Sequence, residues 1–208
     1  MTLDMFSENV FSQQDDSYPI EIPDGELRVF PQLFSLSQAD EYFHTLMDEV
    51  VWKNERISLY GRTYDVPRLS AWYADAGKSY EYSGIRVDGI PWTPLLSLIK
   101  AHVELKTGEI FNSVLVNQYR NGADGVAWHS DDEPELGEDP IIASVSFGEE
   151  RLFQLKHKRD STLKRSFTLP HGSLLLMGKQ TQLNWMHQIP KSQRQIGPRI
   201  NLTFRQVN

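Results

Sequence analysis

From Phe111 to the C-terminus the chain is written in short extended runs, and this constrains the fold more than any other feature. The runs are Ser113–Tyr119, Ile141–Phe147, Leu152–Lys156, Ser166–Leu169, Ser173–Met177 and Ile200–Phe204. Turn residues separate them and no helical period intervenes. Strands this short must pack on a second sheet or close on themselves, so a barrel or jelly roll is expected. The last run is the most regular. In Arg199-Ile200-Asn201-Leu202-Thr203-Phe204-Arg205 the apolar residues share one face, which goes to the core, and Arg199, Asn201, Thr203 and Arg205 share the other. Two arginines and two small polar groups would then line a pocket suited to bidentate binding of a carboxylate. The competing expectation is a sheet edge with solvated arginines. Spacing alone does not decide, because Arg56/Arg62, Arg62/Arg68 and Arg159/Arg165 repeat it.

The first half of the chain reads differently. A helix is expected over Ser37–Val50, capped by Ser37 with Asp40 at its third position, and with Tyr42, Phe43, Leu46, Met47 and Val50 on one face. A second is expected over Pro94–Lys106, capped by Thr93 and ended by Gly108. The stretch Ile57–Leu69 reads as a hairpin or exposed loop, and residues 1–17 are polar and patternless. A chain of 208 residues suits one domain with its own core. It has no cysteine, which excludes a disulfide scaffold, thiolate-bound zinc or iron–sulfur, and a cysteine nucleophile. Apolar runs such as Leu174–Met177 are too short to cross a bilayer. The start, MTLDMFSENVFSQQDD, lacks the basic and apolar stretches of a secretory signal, so neither secretion nor membrane insertion is expected.

The formal charge of −7 conceals a division. Residues 1–150 hold 10 Lys+Arg against 27 Asp+Glu, whereas residues 151–208 hold 11 Lys+Arg and one acid, Asp160. Such asymmetry fits either an anionic partner or mutual neutralisation inside the fold.

Three constellations could carry chemistry. His129-Ser130-Asp131 puts two ligand types on one side of an extended segment, and His187 could complete a two-histidine, one-carboxylate triad for Fe(II). The pair alone is weak, since composition yields roughly 0.4 chance His-x-Asp pairs in such a chain. Asn117 and Tyr119 share a face at the end of an apolar strand and can donate hydrogen bonds to an oxygen-rich ligand. The third is the arginine face of the last run.

In the order Asn-x-Tyr, His-x-Asp, His, Arg-x-Asn-Leu-Thr-Phe-Arg, these elements resemble the AlkB-type Fe(II)/2-oxoglutarate dioxygenases, which repair alkylated nucleic acid. The resemblance covers roughly residues 50–206, through VPRLSAWYADAGKSYEYSG, FNSVLVNQYRNGADGVAWHSDDE, ASVSFG, LPHGSLLLMG, WMHQIP and PRINLTFR. It is nearest to the members that act on DNA through a base-flipping hairpin. The fold it implies is α+β, mainly β: a double-stranded β-helix (jelly roll) with N-terminal helices and a nucleotide-recognition lid of hairpins. Residues 1–27 would be a flexible extension, 28–110 the helices and lid, and 111–208 the catalytic core, with 28–208 one integrated domain. The cofactors implied are Fe(II), 2-oxoglutarate and O₂. His129, Asp131 and His187 would hold the metal. Arg199 would pair with the distal carboxylate of 2-oxoglutarate, Arg205 would lie near its iron-chelating end, and Asn117, Tyr119, Asn201 and Thr203 would complete its site. The implied reaction demethylates bases such as 1-methyladenine and 3-methylcytosine, releasing succinate, CO₂ and formaldehyde.

Such a methyl group lies on the pairing edge, so the base must leave the stack. By the resemblance, Tyr60 is a wedge with Leu59 beside it, Arg68 lies near the lesion, and Tyr80, Tyr82 and Ser83 belong to the substrate pocket. Tyr82 and the His129 imidazole would sandwich the base, although the duplex-acting members carry Phe where Tyr82 stands. Glu133 would read the amino group, and Asp132 would orient its neighbours. Lys156, Lys158, Arg159, Lys164 and Arg165 are candidates for phosphate contacts, as is His157. Trp128, Phe147, Phe153 and Trp185 are expected in the core or pocket wall, His44 and His102 on the surface, and His171 in a turn. The expected partner is alkylated DNA, single- or double-stranded, with RNA as the alternative, acted on by a monomer in a bacterial cytoplasm or a nucleus. The rival readings are a 2-oxoglutarate-dependent hydroxylase of a small molecule or protein, and a non-catalytic jelly-roll binding module. Tyr60→Ala is expected to impair repair of duplex DNA more than of single strands; equal loss on both, in oligonucleotide assays, would remove the wedge role.

Overall fold

The arrangement of the strands follows from which faces must be dry. The computed structural model describes residues 16–59, 62–82 and 85–208, except for the side chains of 57–63 and 80–87. The strands are β1 (Tyr18–Pro19), β2 (Leu27–Phe30), β3 (Arg56–Leu59), β4 (Arg62–Asp65), β5 (Leu69–Ala74), β6 (Ser79–Tyr82), β7 (Ile85–Asp88), β8 (Ser113–Tyr119), β9 (Val126–His129), β10 (Ile142–Gly148), β11 (Arg151–His157), β12 (Lys164–Leu169), β13 (Ser173–Met177), β14 (Trp185–Ile189) and β15 (Arg199–Arg205). The helices are α1 (Leu36–Glu49), α2 (Pro94–Thr107) and the single turn α3 (Thr181–Asn184). Seven strands form one sheet in the order β1-β2-β13-β10-β15-β8-β5, and four form another, β12-β11-β14-β9. The hairpins β3–β4 and β6–β7 stand apart from both. Every pairing within the two sheets is antiparallel, as a jelly roll requires.

The large sheet has two faces with different work. One carries Val114, Val116, Ala143, Val145, Phe147, Leu174, Ile200, Leu202 and Phe204, and packs with the buried sides of α1 and α2. The alternate positions face the small sheet, where Leu27, Val29, Trp72, Ile142, Leu175 and Met177 meet Phe153, Leu155, Leu169, Trp185 and Ile189. Strand β15 is central and buried at all seven positions, so the solvated-edge alternative for its arginines does not hold. Strands β2 and β5, from residues 27–74, flank the strands of the second half on the two sides of that one sheet.

Several expectations shift. The N-cap of α1 is Ser35, not Ser37: the Ser35 hydroxyl accepts the Gln38 N–H, and Gln38, rather than Asp40, answers the Ser35 N–H in a capping box. Helix α2 has the expected Thr93 cap and ends at Gly108, whose φ of +76° glycine adopts without strain. The segment Leu69–Ala74 is a full strand, because it is buried on both faces and shows no polar alternation. The chain is tied into the fold before residue 28: β1 pairs with β2, Ile20 and Ile22 pack on the inter-sheet core, and the Trp185 indole N–H donates to the Pro23 carbonyl at 2.8 Å. Among the described residues no helix is long and apolar enough to cross a membrane.

The turn between β8 and β9 aims the first metal-ligating candidate, and it is tightly held. Arg151 donates to the carbonyls of Asn121, Asp124 and Pro190 at 2.8–3.2 Å. Gly125 lies so close to β14 that a Cβ would sit 2.6 Å from the Ile189 carbonyl oxygen. Asp124, only 3% exposed, accepts from Arg120 through the backbone N–H, Nε and Nη2 at 2.8–2.9 Å. Burial alone would push its pKa up; those bonds and the charge of Arg151 override it and hold the carboxyl below its ordinary value. The folded state therefore binds this proton less readily than the unfolded state. The stabilisation is full above the unfolded pKa of about 3.9 and is lost as pH falls through the folded value. Asp124→Asn is accordingly expected to lower stability at neutral pH by about 1–3 kcal/mol and to flatten the acid limb of the stability curve, read by denaturant titrations across pH.

Candidate active site

The inner faces of the two sheets enclose a cavity of about 530 Å³, lined on one side by Glu55, Arg56 and Val66 beside the β3–β4 hairpin. At one place in it, His129 from the end of β9, Asp131 two residues on and His187 from β14 bring their ligand atoms within 4.8 Å of one another. The register makes this unavoidable, since His187 is the cross-strand partner of His129. The sheet irregularity between His187 and Ile189 lies beside that pair, where bulges commonly re-aim side chains. The His129 Nδ1 faces the Ala127 carbonyl at 2.8 Å. A carbonyl only accepts, so Nδ1 bears a proton and Nε2 is the nitrogen placed to act as a ligand. The His187 ring stacks on Phe153, and burial, reinforced by nearby His129 and Arg205, pushes its pKa down to about 3 despite Asp131. It is neutral at ordinary pH, the state a ligand needs.

Asp131 is 2% exposed, and burial by itself would push its pKa up. Arg205, His187, His129 and Arg68 reverse this and hold its pKa below the ordinary carboxylate value. The Arg205 Nη2 donates directly to Asp131 Oδ1, while Oδ2 faces His187 at 3.9 Å. Two imidazoles and one ionised carboxylate at a common corner suit a divalent first-row metal and leave positions open for other ligands.

The arginine face of β15 lines the same cavity. Arg199 is 1% exposed and donates through Nη2 to Ser146 Oγ at 2.9 Å. Its guanidinium lies 5.3 Å from the Tyr119 ring centroid, and Tyr119 is its cross-strand partner. Burial lowers its pKa to about 10, which leaves it cationic at neutral pH. Its Nε and Nη1 are buried with no hydrogen-bond acceptor from the protein. A buried cationic fork with two donors unspent fits a carboxylate ligand. Asn201 differs from expectation in what it can offer. Its amide donates to Ser144 Oγ and the Val145 carbonyl, and its oxygen accepts from Thr203, so it orients that wall with its own polar atoms already engaged. Asn117 gives its oxygen to Arg68 Nε at 2.9 Å, which leaves its NH₂ for a ligand.

On the open side, Arg68 and Glu133 are half-buried and line the cavity with His129. Trp128 forms part of the wall, with Lys156 Nζ 4.5 Å from its ring centroid. Tyr80 and Tyr82 fall on β6, whose side chains at those positions are not described; Tyr60 and Ser83 lie outside the described residues, as does the Leu59 side chain. Phe147 and Trp185 are core residues and Phe153 is both core and wall, as expected. His44 is exposed, and His171 holds a turn by accepting the Gly148 N–H.

Three expectations are corrected. His157 is buried edge-on against Trp185 and accepts the N–H groups of Arg159 and Asp160, so it braces a turn and touches no phosphate. Lys158 is bound to Asp132 and to the Gln182 carbonyl, which takes it out of a phosphate row. His102 is half-buried against the Phe34 ring. Sequence reasoning missed Ser144, Ser146, Arg151 and Gln182. The serines were detectable as the polar alternate positions of the run ending at Phe147; Gln182 carries no local signal, because its partner lies 51 residues away.

Residues 26–205 match the sequence profile of a family described as the 2OG-Fe(II) oxygenase superfamily. Bovine alpha-ketoglutarate-dependent dioxygenase alkB homolog 3 is 42% identical over 207 residues, covering 94% of this chain and 72% of that protein. Human DNA oxidative demethylase ALKBH2 is 41% identical over 185 residues, covering 84% of this chain and 71% of that protein. A solved structure described as that of OsALKBH1 superposes with a TM-score of 0.65 at 15% identity, covering 91% of this chain and all of the other, which supports the fold.

The unspent Arg199 donors generate a test. A buried cation awaiting its partner destabilises the ligand-free protein. Arg199→Met is expected to stabilise the ligand-free protein by about 1 kcal/mol or more and to abolish the rise in melting temperature on adding 2-oxoglutarate with Mn(II).

Proposed function

The chain belongs to the 2OG-Fe(II) oxygenase superfamily, and from that premise we propose that it reverses alkylation damage in DNA by oxidative demethylation of bases such as 1-methyladenine and 3-methylcytosine. As an Fe(II)-dependent dioxygenase it uses 2-oxoglutarate and O₂, and the products are succinate, CO₂, formaldehyde and the repaired base. The observation that carries the reading is one cavity that joins the His129–Asp131–His187 corner, the unspent Arg199 fork and the half-buried Glu133. The DNA substrate is supported by relatives named as a DNA oxidative demethylase and as alkB homologues.

His129, Asp131 and His187 would hold Fe(II), which, bound with 2-oxoglutarate and O₂, supplies the oxidising power to hydroxylate an N-methyl carbon. The hydroxymethyl group leaves nitrogen as formaldehyde. The chain's own residues do the rest. Arg199 takes the remote carboxylate of 2-oxoglutarate with its free Nε and Nη1. Asn117 and Tyr119 donate to the same molecule, and Asn201 and Thr203 keep the wall behind it in register. Arg205 keeps Asp131 ionised and turned toward the metal. These lesions carry positive charge and pair badly, so extruding them costs less than extruding a normal base. Glu133 accepts from the amino group of the flipped base and Arg68 borders it. The His129 ring and Tyr82 close over its faces, with Tyr80 and Ser83 beside them and Tyr60 filling the vacated stack. A DNA substrate would place the enzyme with the chromosome, in a bacterial cytoplasm or a nucleus.

The test is anaerobic reconstitution with Fe(II) and 2-oxoglutarate, followed by O₂ and methylated oligonucleotides. Formaldehyde and restored base are expected, with little turnover of unmethylated DNA. Untouched 1-methyladenine and 3-methylcytosine in both single and double strands would overturn the reading. His129→Ala should abolish iron-dependent turnover, and an unchanged rate would remove the triad.

A further inference from the structure

Asp131 lies outside every strand, between β9 and the 3₁₀ turn Pro134–Leu136, so no sheet ladder fixes its backbone. What holds it is the turn α3 with the residue that follows. The Asp131 N–H donates to Gln182 Oε1 at 2.9 Å, and Gln182 is completely buried. Its NH₂ points at the Met177 sulfur, 3.5 Å away. On either side of Asp131 the same turn makes a further grip. The Ser130 hydroxyl donates to the Trp185 carbonyl at 2.9 Å. Lys158 joins the Gln182 carbonyl, at 2.7 Å, to Asp132 Oδ2, at 3.0 Å. The turn then runs straight into β14, which carries His187.

We propose that Gln182 is a positioning residue for the iron site: by accepting the Asp131 N–H it sets where the carboxylate meets His187. This rests on the reading of His129, Asp131 and His187 as metal ligands. A buried backbone N–H needs an acceptor, and here it comes from the segment that leads to another ligand. The turn is itself anchored from behind. Thr181 exchanges hydrogen bonds with the Glu26 N–H and carbonyl at 3.0 and 2.9 Å, and Asn184 donates to the Asp24 carbonyl at 3.1 Å. The Gln182 amide therefore transmits a fixed reference to a ligand that sits on a loop. Partners one step removed from a metal typically change its affinity by about 10–100-fold.

The test is metal affinity, with melting of the metal-free protein as the control. Gln182→Met keeps the volume and removes the acceptor. It is expected to weaken Mn(II) binding at least about tenfold and to shift or diminish the visible absorption of the anaerobic Fe(II)–2-oxoglutarate complex. Thr181→Val removes one anchor behind the turn but leaves the Asp131–Gln182 bond and the Asn184 anchor in place; it should lower the melting temperature and weaken Mn(II) binding clearly less than Gln182→Met does. Unchanged affinity in Gln182→Met, or an equal loss in Thr181→Val, overturns the proposal. If Gln182→Met does not fold, Lys158→Met, which cuts the half-exposed outer tie, should give a smaller loss of affinity, and no loss there overturns it equally. Wild-type protein that binds no Mn(II) would bring down the metal reading itself, whereas a binding wild type with an indifferent Gln182→Met would bring down this inference alone.

Discussion

The site depends on a buried ion pair. Asp131 must stay ionised in a place that is almost wholly dry, and burial works against that. Arg205 supplies the opposing charge, but only because β15 runs through the middle of the large sheet with its polar face turned to the cavity. That placement requires the other face to be apolar enough to pack with α1 and α2, which Ile200, Leu202 and Phe204 provide. One strand thus makes the core on one side and the charged wall on the other. Removing either partner would leave an uncompensated buried charge, which is why core and chemistry cannot be separated here.

The basic C-terminal excess is spent only in part inside the protein: of its eleven basic residues, Arg151, Arg199 and Arg205 are buried. Arg199 and Arg205 are cavity wall, and Arg151 is buried in the turn that aims β9. Lys158 is engaged by Asp132, and Arg165 donates to the Glu21 carbonyl. Lys156 and Lys164 lie opposite each other on the outer side of the small sheet, with Lys156 beside Trp128 and the cavity wall, and Arg159, Lys179, Lys191 and Arg194 are exposed as well. The net charge of the chain therefore hides a C-terminal segment that is basic both in the cavity wall and on the surface.

The alternating runs were legible because each buries one kind of residue on each face. Ser113–Tyr119 and Ser173–Met177 match β8 and β13 residue for residue. The misses have physical causes. Strand β5 lacks alternation and, unlike the equally buried β13, has no continuous aliphatic run to mark it. Strands β9 and β14 are short, and their pairing is interrupted beside His187. The cap of α1 moved because the helix begins one residue before Ser37, and Ser35 has Gln38 three residues on to complete the box. His157 looked like a surface residue on a basic hairpin, but its ring became the hub of a turn packed on Trp185.

By itself the sequence determined the residue types and their order: two imidazoles, one carboxylate and an arginine face, each with a local pattern that a strand period makes readable. Tertiary structure alone decided which of those groups retain free donors and which are already spent. Asn201 and Arg199 sit on the same face of one strand, yet the first is saturated by Ser144, Val145 and Thr203 while the second keeps Nε and Nη1 unspent. It also decided that Gln182 would hold Asp131 across 51 residues of chain. Hydrogen bonds between distant segments obey distance and angle, which no periodicity along the chain encodes.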